Sequence, residues 1–239
     1  MRTSKASLYF DVVSPYTYLN LVTWSRYLPL WPSVDLALRP VFLGGIMKAT
    51  GNKPPGMLRQ KHAFMMQDLR RCSQQANIPL LDVPTNFLSE VARASLQVQR
   101  TLCAAEQYGI PKSKRLDLAL GFSYAIHADP ALRCSENTLT VAPPLFHSAF
   151  SRAGFDEAEA KTIIQLVSSA EVKGLLQAAT DEAVARGAFG SPTLVIESNA
   201  AHESGPSKDN LLIFGSDRME QIAWILGEAW KGPNPSAVG

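Results

Sequence analysis

The residues Ser14-Pro15-Tyr16-Thr17 stand where an alternating hydrophobic run gives way to helical spacing. A hydroxyl at such a junction has two duties open to it. It can cap the helix, with Pro15 at the first helical position. It can also aim its O–H at a bound anion, because a helix N-terminus presents unpaired N–H groups and a partial positive charge. A thiolate is one such anion. A free thiol has a pKa of about 8.5, so only a few per cent is ionised at pH 7, and each unit of lowering corresponds to ~1.4 kcal/mol. Ser14 and Thr17 cannot form a disulfide, so a redox cycle needing two resident sulfurs is closed to this turn. A sulfur acting here must arrive with a ligand.

The elements around the turn can be read from periodicity. "SLYFDVV" (7–13) alternates and is rich in aromatic and β-branched residues, which predicts a strand; "VDLALRPVFL" (34–43) predicts a second. Between them Tyr18, Leu21, Val22, Ser25 and Leu28 fall at helical spacing, so the chain opens β-α-β with parallel pairing. "GNKPPGM" (51–57) breaks the pattern. Helices are then expected around 57–76, 89–108, 112–128, 144–153, 157–168 and 170–186, with a capping box at "DEAE" (156–159) and a C-terminus at Arg186-Gly187. "PTLVIES" (192–198) and "LLIFG" (211–215) read as strands joined by a polar hairpin loop, "NAAHESGPSKDN", and "SDRMEQIAWILGEAW" (216–230) as a last helix with Trp230 facing inward. This order predicts an α/β protein: a four-stranded thioredoxin-like sheet split by an all-helical insertion. The expected boundaries are 1–55 and 187–232 for the thioredoxin-like domain and 56–186 for the helical domain.

Bulk composition narrows the function. The 239 residues are 46% hydrophobic and 18% charged with a net charge of +2, which fits a soluble globular protein and argues against nucleic acid as a partner. No apolar run reaches the ~18–20 residues of a membrane helix. "MRTSKASLYF" runs straight into a strand, so no signal peptide is expected, and "PSAVG" is not a peroxisomal tail. Cys72, Cys103 and Cys134 are odd in number and share no zinc or C-x-x-C spacing; the first two are expected buried and reduced in helices and the third in a loop. His62, His127, His147 and His202 share no ligand spacing, so no metal site is expected.

Four local stretches together resemble the kappa class of glutathione transferases, relatives of DsbA-type oxidoreductases and 2-hydroxychromene-2-carboxylate isomerases. They are "SPY" (14–16), "GIMKATGNKPP" (45–55), "GAFGSPT" (187–193) and "FGSDRME" (214–220), and the resemblance runs from about residue 7 to 230. It implies a DsbA-like fold, a homodimer, and glutathione as co-substrate with no permanently bound cofactor. It implies that Ser14 stabilises the glutathione thiolate, with Pro15 and Tyr16 beside it in the glutathione site. It implies a cis Pro192, so that the backbone of Ser191 pairs with the cysteinyl unit as with a short strand; the family commonly carries leucine where this chain has Ser191. Ser216 and the helix N–H groups would hold the γ-glutamyl carboxylate and Asp217 its ammonium, while Asn52 and Lys61 would meet the glycyl carboxylate. Each position also has an ordinary role that needs no ligand: caps at Ser14, Ser216 and Asp217, a strand-initiating proline at Pro192, a solvated lysine at Lys61.

The resulting expectation is a transferase that conjugates glutathione to small hydrophobic electrophiles such as aryl halides, with peroxide reduction as a companion activity. Phe64 is a candidate wall of the electrophile site. The rivals are a glutathione-dependent 2-hydroxychromene-2-carboxylate isomerase and a non-catalytic thioredoxin-like binding module. An intracellular, soluble protein is expected; family resemblance points to mitochondria or peroxisomes, with the cytoplasm still open.

Overall fold

The computed structural model describes residues 3–197 and 211–237. Its sheet has the order β2-β1-β3-β4, formed by β1 (Ser4–Phe10), β2 (Val34–Pro40), β3 (Thr193–Ile196) and β4 (Leu211–Phe214). β1 pairs in parallel with β2, Leu8 opposite Leu38, and antiparallel with β3, Leu8 opposite Leu194. β3 pairs antiparallel with β4. The polar stretch 199–210, read as a hairpin loop from sequence, lies outside the described residues.

Alternation sends successive side chains to opposite faces of this sheet. Leu8, Phe10, Leu36, Leu38, Leu194 and Ile196 join the main hydrophobic cluster with Leu21 and Trp24 of α1 (Pro15–Tyr27) and Ile222 and Ile225 of α9 (Met219–Leu226). Tyr9, Val41 and Val195 join a second cluster with Ile46 of α2 (Leu43–Thr50) and Ala183 of α8 (Ala170–Ala185). Helices therefore cover both faces, as a partly parallel sheet requires. The residues after α9 close on α1: Tyr27 donates to the Gly232 carbonyl (2.6 Å) and stacks on Trp230 at 4.8 Å between ring centroids.

Between α2 and β3 the regular structure is helical. α3 (Arg59–Ala76), α4 (Ala92–Gln107), α5 (Lys112–His127), α6 (Pro144–Arg152), α7 (Glu157–Leu166) and α8 match the six expected helices to within a few residues. The capping box forms: Asp156 accepts from the Glu159 N–H (2.8 Å) and Glu159 from the Asp156 N–H (3.3 Å). α5 and α6 approach so closely that a Cβ on Gly121 would sit 2.5 Å from the Ala149 carbonyl oxygen. That neighbour is backbone and cannot swing away. Gly121→Ala is expected to cost about 2 kcal/mol by overpacking, read as a lowered midpoint in denaturant unfolding; an unchanged midpoint would show that the two helices separate freely.

Three elements differ from the sequence reading. β1 stops at Phe10 rather than Val13, because the Asp11 carboxylate turns back onto the Val13 N–H (3.0 Å) and the Ser14 N–H closes onto the Asp11 carbonyl (3.1 Å). β2 ends at Pro40, and Leu43–Thr50 is helical; its two glycines, lack of a side-chain cap and single buried residue, Ile46, hide it from pattern reading. The last helix spans Met219–Leu226, so Ser216 and Asp217 lie in the turn before it, and its N-cap position is Arg218, which makes no side-chain cap bond.

Candidate functional site

The turn between β1 and α1 is held from all sides. Phe10 O accepts from the Gln99 side-chain amide (2.6 Å) and the Val41 N–H (3.0 Å). The Asp11 N–H donates to Ser191 Oγ (2.8 Å) and the Val12 N–H to Gln99 Oε1 (3.4 Å). His127 Nε2 lies 2.8 Å from the Val12 carbonyl, which can only accept, so the ring carries its proton on Nε2. Thus a buried loop meets its backbone demand with side chains from α4, α5 and Ser191, two residues before β3.

Ser14 emerges from this turn as the N-cap of α1. Its Oγ accepts from the Thr17 N–H (3.4 Å) and donates to the Ser191 carbonyl (3.0 Å). Only 8% of Ser14 is exposed, while Thr17 is sealed, its Oγ1 2.9 Å from Ser191 Oγ. The Ser191 side chain thus points inward and ties β1 and α1 to the head of β3, and the Ser191–Pro192 peptide is cis.

The other residues singled out by sequence divide into two groups. Brought to this corner are Pro15 at the first position of α1 and Asn52, whose side-chain amide donates to the Phe189 carbonyl (2.7 Å). The turn at 215–217 joins them, because the Gly215 N–H donates to the Pro192 carbonyl (3.0 Å). Gly215 has φ of 100°, and a Cβ there would meet Asp217 Oδ1 at 2.8 Å, so this turn needs glycine. Asp217 pairs with its neighbour Arg218 at 3.0 Å in an exposed position. Tyr16 reaches toward α3: its hydroxyl donates to Asp68 (2.9 Å), and burial followed by that carboxylate pushes its pKa up. Lys61 is exposed on α3 and makes no polar side-chain contact among the described residues. Phe64, the expected electrophile wall, is exposed on the same helix one turn before Asp68.

Sequence reasoning missed the buried support. Asp11 is fully buried and accepts from the Val13 N–H and the Leu43 N–H (2.9 Å), with Ser95 Oγ at 3.4 Å. Burial raises its carboxyl to about 6 against the pull of those donors. His127 was one of four histidines without ligand spacing; it is a buried structural donor, and burial lowers it to about 4. The signal for Asp11 was a carboxylate inside an apolar run, which is tolerated only where donors wait for it. Of the cysteines, Cys103 is buried and Cys134 lies in a loop as expected, the latter exposed, whereas Cys72 is half-buried; all three are free. Among the described residues no group of three or more His, Cys, Asp or Glu side chains could hold a metal ion, and no helix is long and apolar enough to cross a membrane.

Residues 6–227 match the DsbA-like thioredoxin domain family. The glutathione S-transferase kappa 1 proteins of Homo sapiens and Rattus norvegicus are each 34% identical over 232 residues, covering 97% of this chain and 94% of theirs. The chain belongs to the kappa class of glutathione transferases. A kappa-class protein of Caenorhabditis elegans, kappa 2, is 29% identical over 231 residues, 94% of this chain and 92% of that one. Among solved structures, a 2-hydroxychromene-2-carboxylate isomerase superposes with a TM-score of 0.70 at 19% identity, covering 93% of this chain and 94% of that one. The cytosolic disulfide reductase DsbM of Pseudomonas aeruginosa, solved with GSH, has a TM-score of 0.54 at 12% identity, covering 93% and 94%. At such identities these two structures speak for the DsbA-like thioredoxin fold alone. Within that fold this kappa-class chain carries Ser14 and Thr17 at the head of α1, with all three of its cysteines elsewhere.

Proposed function

We propose that this protein binds glutathione at the corner formed by Ser14, Ser191-Pro192, Asn52 and the 215–217 turn, and transfers its sulfur to small hydrophobic electrophiles. One observation carries the reading: a hydroxyl at the N-cap of a 13-residue helix, nearly buried yet still reachable, in a turn that has no sulfur of its own. In the structure the Ser14 O–H donates to the Ser191 carbonyl. On binding, the cysteinyl N–H of glutathione takes over that carbonyl, and the Ser14 O–H rotates to the sulfur. The hydroxyl and the N-terminal end of α1 then favour thiolate over thiol. The thiol proton leaves to solvent, the thiolate attacks the electrophilic carbon, and a halide departs with the bonding electrons.

Ser216 and the N–H groups at the start of α9 are assigned to the γ-glutamyl carboxylate, Asp217 to its ammonium, and Asn52 with Lys61 to the glycyl carboxylate. Pro15 and Tyr16 shape the wall beside the sulfur. Phe189, whose carbonyl holds Asn52, and Phe214, next to Gly215, are exposed with ring centroids 4.5 Å apart and suit a hydrophobic second substrate, while exposed Met57 and Phe64 are assigned to its outer side. The division into a thioredoxin-like part (1–55 and 187–232) and a helical part (56–186), the homodimer, and peroxide reduction belong to the same proposal.

The test is a pH titration of thiolate absorbance with glutathione bound, run beside aryl halide conjugation. Bound glutathione is expected to titrate about one unit or more below the free thiol and to be conjugated. A bound pKa equal to that of the free thiol removes the proposed role of Ser14. Turnover of a chromene carboxylate without conjugation would indicate the isomerase instead, and the absence of any thermal stabilisation by glutathione would indicate a non-catalytic module.

A further inference from the structure

A cavity of about 370 Å³ opens between α2, α4 and α8, lined by none of the residues assigned to glutathione. Its lining comes from one face of each helix: Gly45 and Ala49 of α2, Leu96 and Arg100 of α4, and on α8 a stripe running from Lys173 through Leu176 and Thr180 to Val184. The floor is firm. Thr180 Oγ1 accepts from the Phe42 N–H (3.0 Å) and donates to the Leu176 carbonyl (2.7 Å). A Cβ on Gly45 would touch Thr180 Cγ2 at 3.2 Å, so the absence of a side chain there keeps this space open.

The polar groups around the cavity do not balance. Arg100 is half-buried, its Nε is sealed from water without a hydrogen-bond partner, and it has no carboxylate partner among the described residues. Lys173, exposed at the mouth, is likewise unpaired among the described residues. The only acid in the lining, Asp181, already accepts from the Gln177 amide (2.8 Å). A half-buried guanidinium without a counter-ion favours an anion placed beside it, met by its outer N–H groups rather than by the sealed Nε. Phe42, Leu96 and Val184 are only partly buried and offer their remaining surface as an apolar wall. A size of a few hundred Å³, an apolar wall and a few convergent polar groups are what small-ligand sites share.

We propose that this cavity binds an amphipathic carboxylate, with the carboxylate on Arg100 and Lys173 and the hydrocarbon body along Phe42, Leu96, Leu176 and Val184. The site is separate from the glutathione corner and does not depend on it.

Calorimetric titration of the full chain with octanoate tests this, with octanol as the uncharged counterpart. Octanoate is expected to bind with one-to-one stoichiometry and at least tenfold more tightly than octanol. Saturating glutathione should leave its affinity unchanged. Arg100→Met should weaken octanoate at least tenfold and leave glutathione binding as it was; because Arg100 has no partner to orphan, the variant should fold. Lys173→Met, at an exposed position, should weaken octanoate severalfold. Equal affinity for octanoate and octanol, full affinity in both variants, or displacement by glutathione would each overturn the proposal. Displacement would place the fatty acid in the Ser14 corner.

Discussion

Replacing Ser14 with alanine should lower aryl halide conjugation at pH 7 by about tenfold while glutathione affinity stays within a few-fold. One pKa unit is a factor of ten in thiolate population below the pKa, and that population is what the Ser14 hydroxyl supplies. The bound thiol should titrate about one unit or more higher, so the deficit shrinks above pH 9, where the thiolate forms unaided. Alanine also removes the cap on the Thr17 N–H, a loss of about 1 kcal/mol in stability, and this confounds a single variant. Ser14→Gly separates the two duties, because glycine at an N-cap costs only a few tenths of a kcal/mol. Both variants should lose turnover and the bond to the Ser191 carbonyl, and Ser14→Ala should be the less stable of the two by about 1 kcal/mol. Normal turnover in Ser14→Gly would leave Ser14 a cap and nothing more.

The second large effect is expected at Asp11. Both carboxylate oxygens accept from backbone N–H groups, Oδ1 from Val13 and Oδ2 from Leu43. Asparagine can replace only one of them; its NH2 must face the other N–H in a fully buried site. Asp11→Asn should therefore cost about 2 kcal/mol at pH 7, which for a chain of this size lowers the melting temperature by about 4–8 °C. Either the Ser14 turn or the start of α2 is released, so turnover should fall as well. The pH dependence has a definite sign. The native carboxyl titrates at about 6 and an ordinary Asp at 3.8. Between those values the folded state holds a proton that the unfolded state lacks, so stability from this group rises as pH falls. The gap between wild type and Asp11→Asn should widen by roughly 2 kcal/mol from pH 7 to pH 4 and level off below it. A gap that narrows over this range would mean that the buried group titrates below its ordinary value.

How far the sequence reveals this arrangement depends on the range over which each signal acts. Helices α3 to α8 declare themselves through local spacing and caps, such as Asp156 with Glu159, because those contacts lie within one turn. The four strands follow from alternation, and their order follows from chirality and the split element order. α2 is not legible, since a helix with two glycines and one buried side chain is held by packing rather than propensity. Ser14 and Ser191 are visible as residue types, but their mutual bond spans 177 positions and no local pattern encodes it. The same holds for Gln99 and His127, which reach the turn from 87 and 115 residues away. At Ser216 and Asp217 the residue types suggest a helix cap, whereas α9 begins only at Met219.

The placement of β1 also constrains how the chain is made. β1 is an interior strand, yet its antiparallel neighbour begins only at Thr193, after the last helix of the inserted stretch. A ribosome adding ~5–20 residues per second leaves that edge of β1 open for roughly ten seconds or more. During that time Ser7, Leu8 and Tyr9 present backbone donors and acceptors to any other extended chain. Closing the sheet then brings together residues such as Ala6 and Ile196, 190 positions apart, the slow kind of pairing. The corner holding Ser14 is completed in that same late step, because Ser191 arrives with the strand that closes it.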